Sequence, residues 1–272
     1  MPSTCWIRRD LDPEEISRMY FKDKLSTNKI GKSVGCSSQT IRRLLLKDSG
    51  MKLRNIREAN LVQWSNRTYP EILISSIQDQ IIIGTMMGDG STHIQASSVN
   101  PSFSVGHKEA DKEYLLWKYS QLETTGLFRN PPYLKVKKAK SREFRSWGMR
   151  TIQHPKIKEY HELFHSQNKK VVNQEILDRM GLLGLAVYYQ DDGGLRSHRT
   201  PYLYTYGWSR SEVELLSTYL QEKWELKFSA KFGEFGPLRK GSHILRMEKE
   251  SLPRFRELIV PHILPCMSRK VP

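Results

Sequence analysis

Two stretches of similar sequence decide the fold of this chain, IIGTMMGDG at residues 82–90 and LAVYYQDDG at residues 185–193. Each is an apolar segment that closes on Asp-Gly, so Asp89 and Asp192 hold matching positions 103 residues apart (192 − 89). Self-similarity at a fixed offset is typical of a structural unit that occurs more than once in a chain. The sequence therefore predicts one unit made twice.

The landmarks around these stretches recur at nearly the same distance. Gly106, which precedes a helical pattern, is echoed by Gly207, 101 residues later (207 − 106), and Lys170 is echoed by Lys270. In each half the apolar helix is followed by a strand pair, a helix, a second strand pair and a closing helix. We therefore expect an α+β fold with two pseudo-symmetric αββαββα repeats.

The first sixty residues are expected to form a small all-α domain. IGKSVGCSSQTIRRLL at residues 30–45 has the helix, Gly-centred turn, Ser cap and second helix of a helix-turn-helix. Gly35 permits the positive φ of the turn, and Ser37 or Ser38 caps the next helix. Gln suits an adenine edge, and Arg suits guanine or phosphate. The residues expected to contact DNA are Ser38, Gln39, Arg42 and Arg43; an ordinary three-helix bundle with solvated arginines is the alternative.

The expected domain organisation follows from these patterns. It comprises a helix-turn-helix domain at residues 1–55, a polar linker at residues 56–71, a first repeat at residues 72–177 and a second repeat at residues 178–272.

The amino-acid composition limits the classes of partner that the chain is expected to bind. The chain has 272 residues, with 44 Lys and Arg against 29 Asp and Glu, and the resulting net charge of +15 favours nucleic acid. No apolar run approaches the roughly 20 residues of a membrane span, so no membrane partner is expected. Arg8 and Arg9 precede any apolar stretch, which argues against a signal peptide. Three distant cysteines without a CxxC pair fit a reducing, intracellular compartment, cytoplasmic or organellar, and not secretion.

The Asp-Gly ends of the two apolar helices favour a metal centre. A helix C-terminus is unfavourable for a carboxylate, so a carboxylate there is best explained by a cation. Gly84 and Gly88 lie four apart, which lets a second helix approach and brings Asp89 and Asp192 together. Two carboxylates with phosphate and water oxygens suit Mg²⁺, which would orient or deprotonate a water at a phosphodiester. Simple Asp-Gly turns are the alternative.

These residues resemble the LAGLIDADG homing endonucleases, specifically the monomeric type with two motifs in one chain. The resemblance covers about residues 72–272 and is stronger in the second half, through LAVYYQDDGG and the terminal PHILPCMSRK. The second motif departs from the family pattern at Val187, where Gly is preferred, and at Tyr188 and Tyr189, so its helix contact must repack.

The resemblance implies roles for six residues. In that family the last Asp of each motif binds the catalytic divalent ions, Mg²⁺ or Mn²⁺, the carbonyl before it assists, and a Lys in each half polarises water or phosphate. The matching positions are Asp89 and Asp192, Gly88 and Asp191, and Lys170 and Lys270. Whether Asp191 or Asp192 ligates the metal, and whether Lys169 takes the place of Lys170, stays open at this point.

The resemblance also implies a saddle of two antiparallel sheets whose concave faces lie in the major groove of double-stranded DNA. Basic residues interleave with apolar ones along the segments that would form these sheets. Most would contact phosphate, and a minority would read base edges. They are Lys135, Lys137, Lys138, Lys140, Arg142 and Arg145 in the first half, and Arg196, Arg199, Lys231 and Arg239 in the second.

The expected activity is that of a monomeric, sequence-specific, metal-dependent DNA endonuclease that makes a double-strand break at a long target site. A non-catalytic DNA-binding transcriptional regulator on the same scaffold is one alternative, although a regulator has no need for both Asp and both Lys residues. An intron RNA maturase that uses the same basic surface on RNA is the other.

Overall fold

The computed structural model describes residues 11–48, 52–65, 67–96, 98–139, 142–167, 169–196, 199–232 and 243–272. The chain divides into two compact units. The first comprises residues 1–68 with 95–99, and the second comprises residues 69–94 with 100–272. Each unit has a hydrophobic cluster of its own. Within the described residues, no helix is long and apolar enough to cross a bilayer.

The described part of the first unit is helical, as expected. Its elements are α1 (Pro13–Phe21), α2 (Thr27–Ser33), α3 (Ser38–Asp48) and α4 (Ile56–Ser65). The turn between α2 and α3 has Gly35 at φ 71°, and the Ser37 hydroxyl accepts a hydrogen bond from the Thr40 amide at 3.1 Å. Ile30 and Ile41 are fully buried where the two helices pack. The helix α4 occupies much of the segment that the sequence suggested as a linker.

The second unit contains the two repeats in the expected order of elements. The first repeat consists of α5 (Ser76–Met87), β1 (Ser91–His93), β2 (Ser102–Lys108), α6 (Lys112–Leu122), β3 (Tyr133–Ala139), β4 (Arg142–Arg150) and α7 (Pro155–Phe164), followed by the short strands β5 (His165–Ser166) and β6 (Lys169–Lys170). The second consists of α8 (Gln174–Asp192), β7 (Gly193–Arg196), β8 (Thr200–Tyr204), α9 (Arg210–Trp224), β9 (Phe228–Phe232), β10 (His243–Met247) and α10 (Leu252–Leu258). The predicted α+β class and αββαββα order are confirmed.

The two four-stranded sheets have the same topology. Their strand orders are β1-β2-β4-β3 and β7-β8-β10-β9, and every pairing is antiparallel. Side chains alternate between the faces of a strand. In β2, Phe103, Val105 and His107 are buried while Gly106 and Lys108 are exposed. Each sheet therefore has one face on the helices and one face toward solvent.

The helices α5 and α8 pack against each other through glycine. An alanine methyl at Gly84 would lie 2.2 Å from the Gly184 carbonyl oxygen and 2.9 Å from Val187 Cβ. The departure of Val187 from the family pattern is thus accommodated by absent side chains at both glycines. At Gly181, φ is 59°, which breaks the regular backbone of α8 before its motif segment.

Candidate metal centre and DNA-facing sheets

Three Asp residues meet where α5 and α8 end. Asp89 follows Gly88, the C-cap of α5, while Asp191 and Asp192 are the last two residues of α8. Gly88 has to lack a side chain, because its Cβ would lie 2.4 Å from Asp191 Cβ. The close approach places the Asp89 amide 3.4 Å from Asp191 Oδ2. Residues about 100 positions apart therefore share one centre.

The carboxylates of this centre differ in electrostatic environment. Burial and the negative charges of Asp89 and Asp191 raise the pKa of Asp192 to about 6, against the opposing charges of Lys170 and Lys270. Burial also acts to raise the pKa of Asp89. However, its hydrogen bond to His107 and the nearby positive charges outweigh burial, so the pKa of Asp89 falls below its usual value. A divalent cation would relieve the repulsion that Asp192 experiences.

The structure places the two expected lysines at equivalent points of the repeats. The Lys170 ammonium donates to the carbonyls of Gly88 and Gly90, each at 3.3 Å. The Lys270 ammonium donates to the Asp191 carbonyl at 3.1 Å and to the Gly193 carbonyl at 2.9 Å. Each lysine thus binds the carbonyl of the residue before the motif Asp, and the neighbouring Lys169 is exposed.

Both lysines are largely shielded from water. Burial lowers the pKa of Lys270 to about 8, although Asp191 acts to raise it. Burial likewise lowers the pKa of Lys170, with Asp192 and Asp191 opposing the effect. The Lys270 ammonium, with a pKa of about 8, can hold or exchange a proton near neutral pH.

Two further residues of the centre, Lys118 and His107, were not among the predicted site residues. The Lys118 ammonium lies 2.6 and 2.8 Å from the two oxygens of Asp191, and both side chains are fully buried. Lys118 follows Tyr114 by four residues on the apolar face of α6. A lysine at such a position is the signal in the sequence that indicates a buried partner.

The oxygen atoms of the centre fit a hard divalent cation. Among the described residues, Asp89, His107 and Asp191 form the only group of three side chains that could hold a metal ion. However, both oxygens of Asp191 already accept hydrogen bonds from Lys118. The carboxylates of Asp89 and Asp192, with nearby backbone carbonyls, are the oxygen donors that Mg²⁺ and Mn²⁺ prefer.

The register of the first sheet separates its basic residues into two sets. Lys135 lies opposite Ser146, and Lys137 lies opposite Phe144, on the face that Gly106 and Lys108 share. Arg142 occupies the same face by register. By contrast, Lys138 and Arg145 belong to the other face, where Arg145 lies 3.2 Å from Glu109 and 3.7 Å from Glu143.

The second sheet has basic and aromatic side chains on its solvent face. Arg196 and Lys231 lie on this face, together with Arg246, which the sequence did not single out. Tyr202 and Tyr204 occupy the same face with ring centroids 4.8 Å apart. These two rings meet edge to face, and aromatic rings beside cations suit a surface that contacts nucleic acid.

The remaining predicted DNA contacts lie elsewhere. Gln39, Arg42 and Arg43 are exposed on α3, and Ser38 is half-buried. Arg199 is exposed just before β8 and has φ 59°. The predicted contacts Lys140 and Arg239 lie outside the described residues.

Comparison with known proteins identifies the family. Residues 79–255 match the LAGLIDADG DNA endonuclease family, and the chain belongs to it. This confirms the predicted family.

Individual relatives are distant in sequence. The chain is 25% identical over 206 residues to probable intron-encoded endonuclease 1 of Wickerhamomyces canadensis. The aligned region covers 73% of this chain and 85% of that protein. It is 28% identical over 213 residues to protein RecA of Mycobacterium gastri, across 73% of this chain and 48% of the RecA protein. The chain thus spans about half the length of the RecA relatives it matches.

A solved structure supports the fold. The homing endonuclease I-WcaI, bound to its DNA recognition sequence, has a TM-score of 0.66 and 22% sequence identity to this chain. The match covers 77% of this chain and 90% of that chain.

Proposed function

We propose that the chain is a sequence-specific, metal-dependent DNA endonuclease that makes a double-strand break as a monomer. The observation that carries the proposal is the pair of equivalent half-sites, each with one motif Asp and one half-buried Lys. Lys170 binds the carbonyl that precedes Asp89, and Lys270 binds the carbonyl that precedes Asp192. Two such half-sites in one chain match the two strands of a duplex, so a second copy is not needed.

Mg²⁺ or Mn²⁺ would be held by Asp89 and Asp192 with the carbonyls of Gly88 and Asp191. The Asp191 side chain is excluded from this set, because Lys118 neutralises it. A bound divalent ion supplies neutralisation of the charge that develops on the phosphodiester and a lowered pKa for a bound water. The protein's own lysines would orient that water or donate hydrogen bonds to a phosphate oxygen.

DNA contacts are proposed for the solvent faces of both sheets. Lys135, Lys137, Arg142, Arg196 and Lys231 are supported by their register on these faces. Lys138 and Arg145 lie on the opposite faces of their strands, and Arg145 is also paired with carboxylates, so we expect weaker contributions from both. Exposed cations on a groove-facing sheet would contact phosphates and determine the register of the protein on the duplex.

The first unit is proposed to be a second DNA-binding element. Its support is local, since a helix, a glycine turn with positive φ and a capped second helix present Gln39, Arg42 and Arg43 to solvent. We propose four parts with boundaries near residues 55, 71 and 177. An intracellular location, where DNA is present, is supported by the free thiols of Cys36 and Cys266.

Cleavage of a randomised duplex library in Mg²⁺ tests the activity. We expect specific cuts by the wild type, and losses of about 1000-fold for Asp89→Asn and Asp192→Asn, because a metal ligand is removed. Binding by both variants should remain largely intact. Asp178→Asn, at an exposed position of α8, is the matched control and should cleave normally.

Three other outcomes would revise the proposal. Undiminished cleavage by both Asp variants would remove these residues from the chemistry. Specific binding by the wild type without cuts, in Mg²⁺ or Mn²⁺, would favour the DNA-binding regulator. Failure to bind DNA, together with specific binding of intron RNA, would favour the maturase.

A further inference from the structure

The buried pair of Lys118 and Asp191 joins the two repeats. Lys118 belongs to α6 of the first repeat, and Asp191 to α8 of the second. Its ammonium lies 2.6 and 2.8 Å from the two carboxylate oxygens, and neither side chain is exposed. Burying an ion pair costs solvation that an apolar pair would not cost. Stability by itself therefore does not explain this arrangement.

The pair extends to the Asp89 carboxylate through His107. The Lys118 ammonium lies 3.3 Å from Nε2 of His107, and Nδ1 of the same ring lies 3.3 Å from Asp89 Oδ2. An ammonium group only donates hydrogen bonds, so Nε2 has to accept from it. The ring proton then resides on Nδ1 and is donated to Asp89. Lys118 thereby selects the tautomer that orients the carboxylate.

Among the described residues of the second repeat, no equivalent arrangement is present. The position equivalent to Asp191 in the first motif is Gly88, which has no carboxylate. The strand registers make Ser104 of β2 equivalent to Tyr202 of β8, an offset of 98 residues (202 − 104), and the position 98 residues after Lys118 is the buried Leu216 on α9. The carboxylate of Asp191 and the ammonium group of Lys118 therefore have no counterparts at the equivalent positions, and the two groups meet beside Asp89.

We propose that Lys118, His107 and Asp191 are positioning residues that hold the Asp89 carboxylate in one orientation, an arrangement that the described residues around Asp192 do not repeat. The inference rests on the proposed function, since it assigns the orientation of one carboxylate of that same site. It predicts that the two half-sites respond differently when the chain of hydrogen bonds is broken.

The first test needs no cleavage. In protein labelled with ¹⁵N-histidine and free of metal, long-range ¹H–¹⁵N correlation should show His107 as the Nδ1–H tautomer, which is the minor form of free imidazole. His107→Gln assigns the signal by its loss. In Lys118→Met/Asp191→Asn, where both charges are removed together, only the Asp89 carboxylate still favours Nδ1–H, so the fraction of this tautomer should fall. An Nε2–H tautomer in the wild type would overturn the proposal.

The second test measures the two strands of the duplex separately. His107→Phe keeps a ring but loses both hydrogen bonds, so one strand should be cut about 100-fold more slowly, because its carboxylate is no longer oriented. The other strand should change less than about threefold, and nicked DNA should accumulate. His107→Gln can accept from Lys118 and donate to Asp89, so it should restore most of the lost rate.

Controls separate positioning from folding. Lys118→Met alone leaves a buried charge on Asp191 and is expected to lower Tm by about 10 °C, while the double variant recovers most of the loss. Lys158→Met, at an exposed position on α7, should change neither Tm nor the ratio of strand rates. Equal slowing of both strands by His107→Phe would refute the positioning role. A wild type that cuts no DNA would instead refute the proposed function, and the tautomer test would still stand.

Discussion

Substitution of Gly84 by Ala introduces one methyl group between the two motif helices. At ideal geometry this methyl carbon lies 2.2 Å from the Gly184 carbonyl oxygen and 2.9 Å from both Gly184 C and Val187 Cβ. A relaxed contact needs about 3.5 Å. Because the nearest atoms belong to the backbone of α8 or its first side-chain carbon, they cannot rotate away. The helices would have to separate by about 1 Å.

Two opposing effects determine how much Gly84→Ala changes the free energy of unfolding. Overpacking of a close contact costs about 3 kcal/mol of unfolding free energy, while replacing a helical Gly by Ala gains about 1 kcal/mol. The expected net loss is about 2 kcal/mol. Asp89 and Asp192 lie at the ends of the same two helices, so their separation changes with that of the helices. A displacement of about 1 Å at reacting groups is expected to lower the cleavage rate about 100-fold.

Urea unfolding and single-turnover cleavage would measure the two effects on the same preparation. Gly126→Ala is the matched control, because its methyl meets nothing within 4 Å and only its φ of +75° is unfavourable. The free energy of unfolding of this variant should fall by about 1 kcal/mol, and its cleavage rate should be unchanged. If Gly84→Ala is as stable as the wild type and cuts at the same rate, the close approach of α5 and α8 is not what aligns the carboxylates.

Three further predictions concern charge. Because burial raises the pKa of Asp192 to about 6 from 3.8, its ionised form penalises folding above pH 6, and the penalty is relieved as pH falls toward 4. In EDTA, the free energy of unfolding of the wild type should therefore rise by up to about 3 kcal/mol relative to that of Asp192→Asn as the pH falls from 7 to 4. If the unfolding free energies from urea denaturation follow parallel pH profiles in the two proteins, this prediction is wrong. Lys137→Ala should reduce the slope of log affinity for DNA against log salt by about 1, whereas Arg145→Ala should leave it nearly unchanged; equal effects would contradict the assignment of faces. Arg42→Ala/Arg43→Ala should weaken DNA binding and flatten the same slope, and an unchanged slope would show that this helix is not on DNA.

Much of the fold could be predicted because its signals are local. Apolar periodicity, caps and Asp-Gly ends recur in both halves, and each is decided by residues within a few positions of one another. The turn after α2 is an example, since Gly35 and Ser37 specify it without help from the rest of the chain. The repeat also showed that Asp89 and Asp192, and Lys170 and Lys270, hold equivalent positions, whereas their predicted roles came from the resemblance to the family.

The repeat, the order of elements and the family could therefore be predicted from the sequence alone. Which groups touch could not, because Lys118 and Asp191 are 73 residues apart (191 − 118) and meet only when folding brings α6 of the first repeat against the end of α8. That contact uses both oxygens of Asp191, and it is the reason for proposing Asp192 as the metal ligand of the second motif. The faces of Lys137 and Arg145 likewise depend on strand register, since a shift of one residue would exchange them. The spacing of residues along the chain does not specify such contacts, because they form only when helices and strands pack in three dimensions.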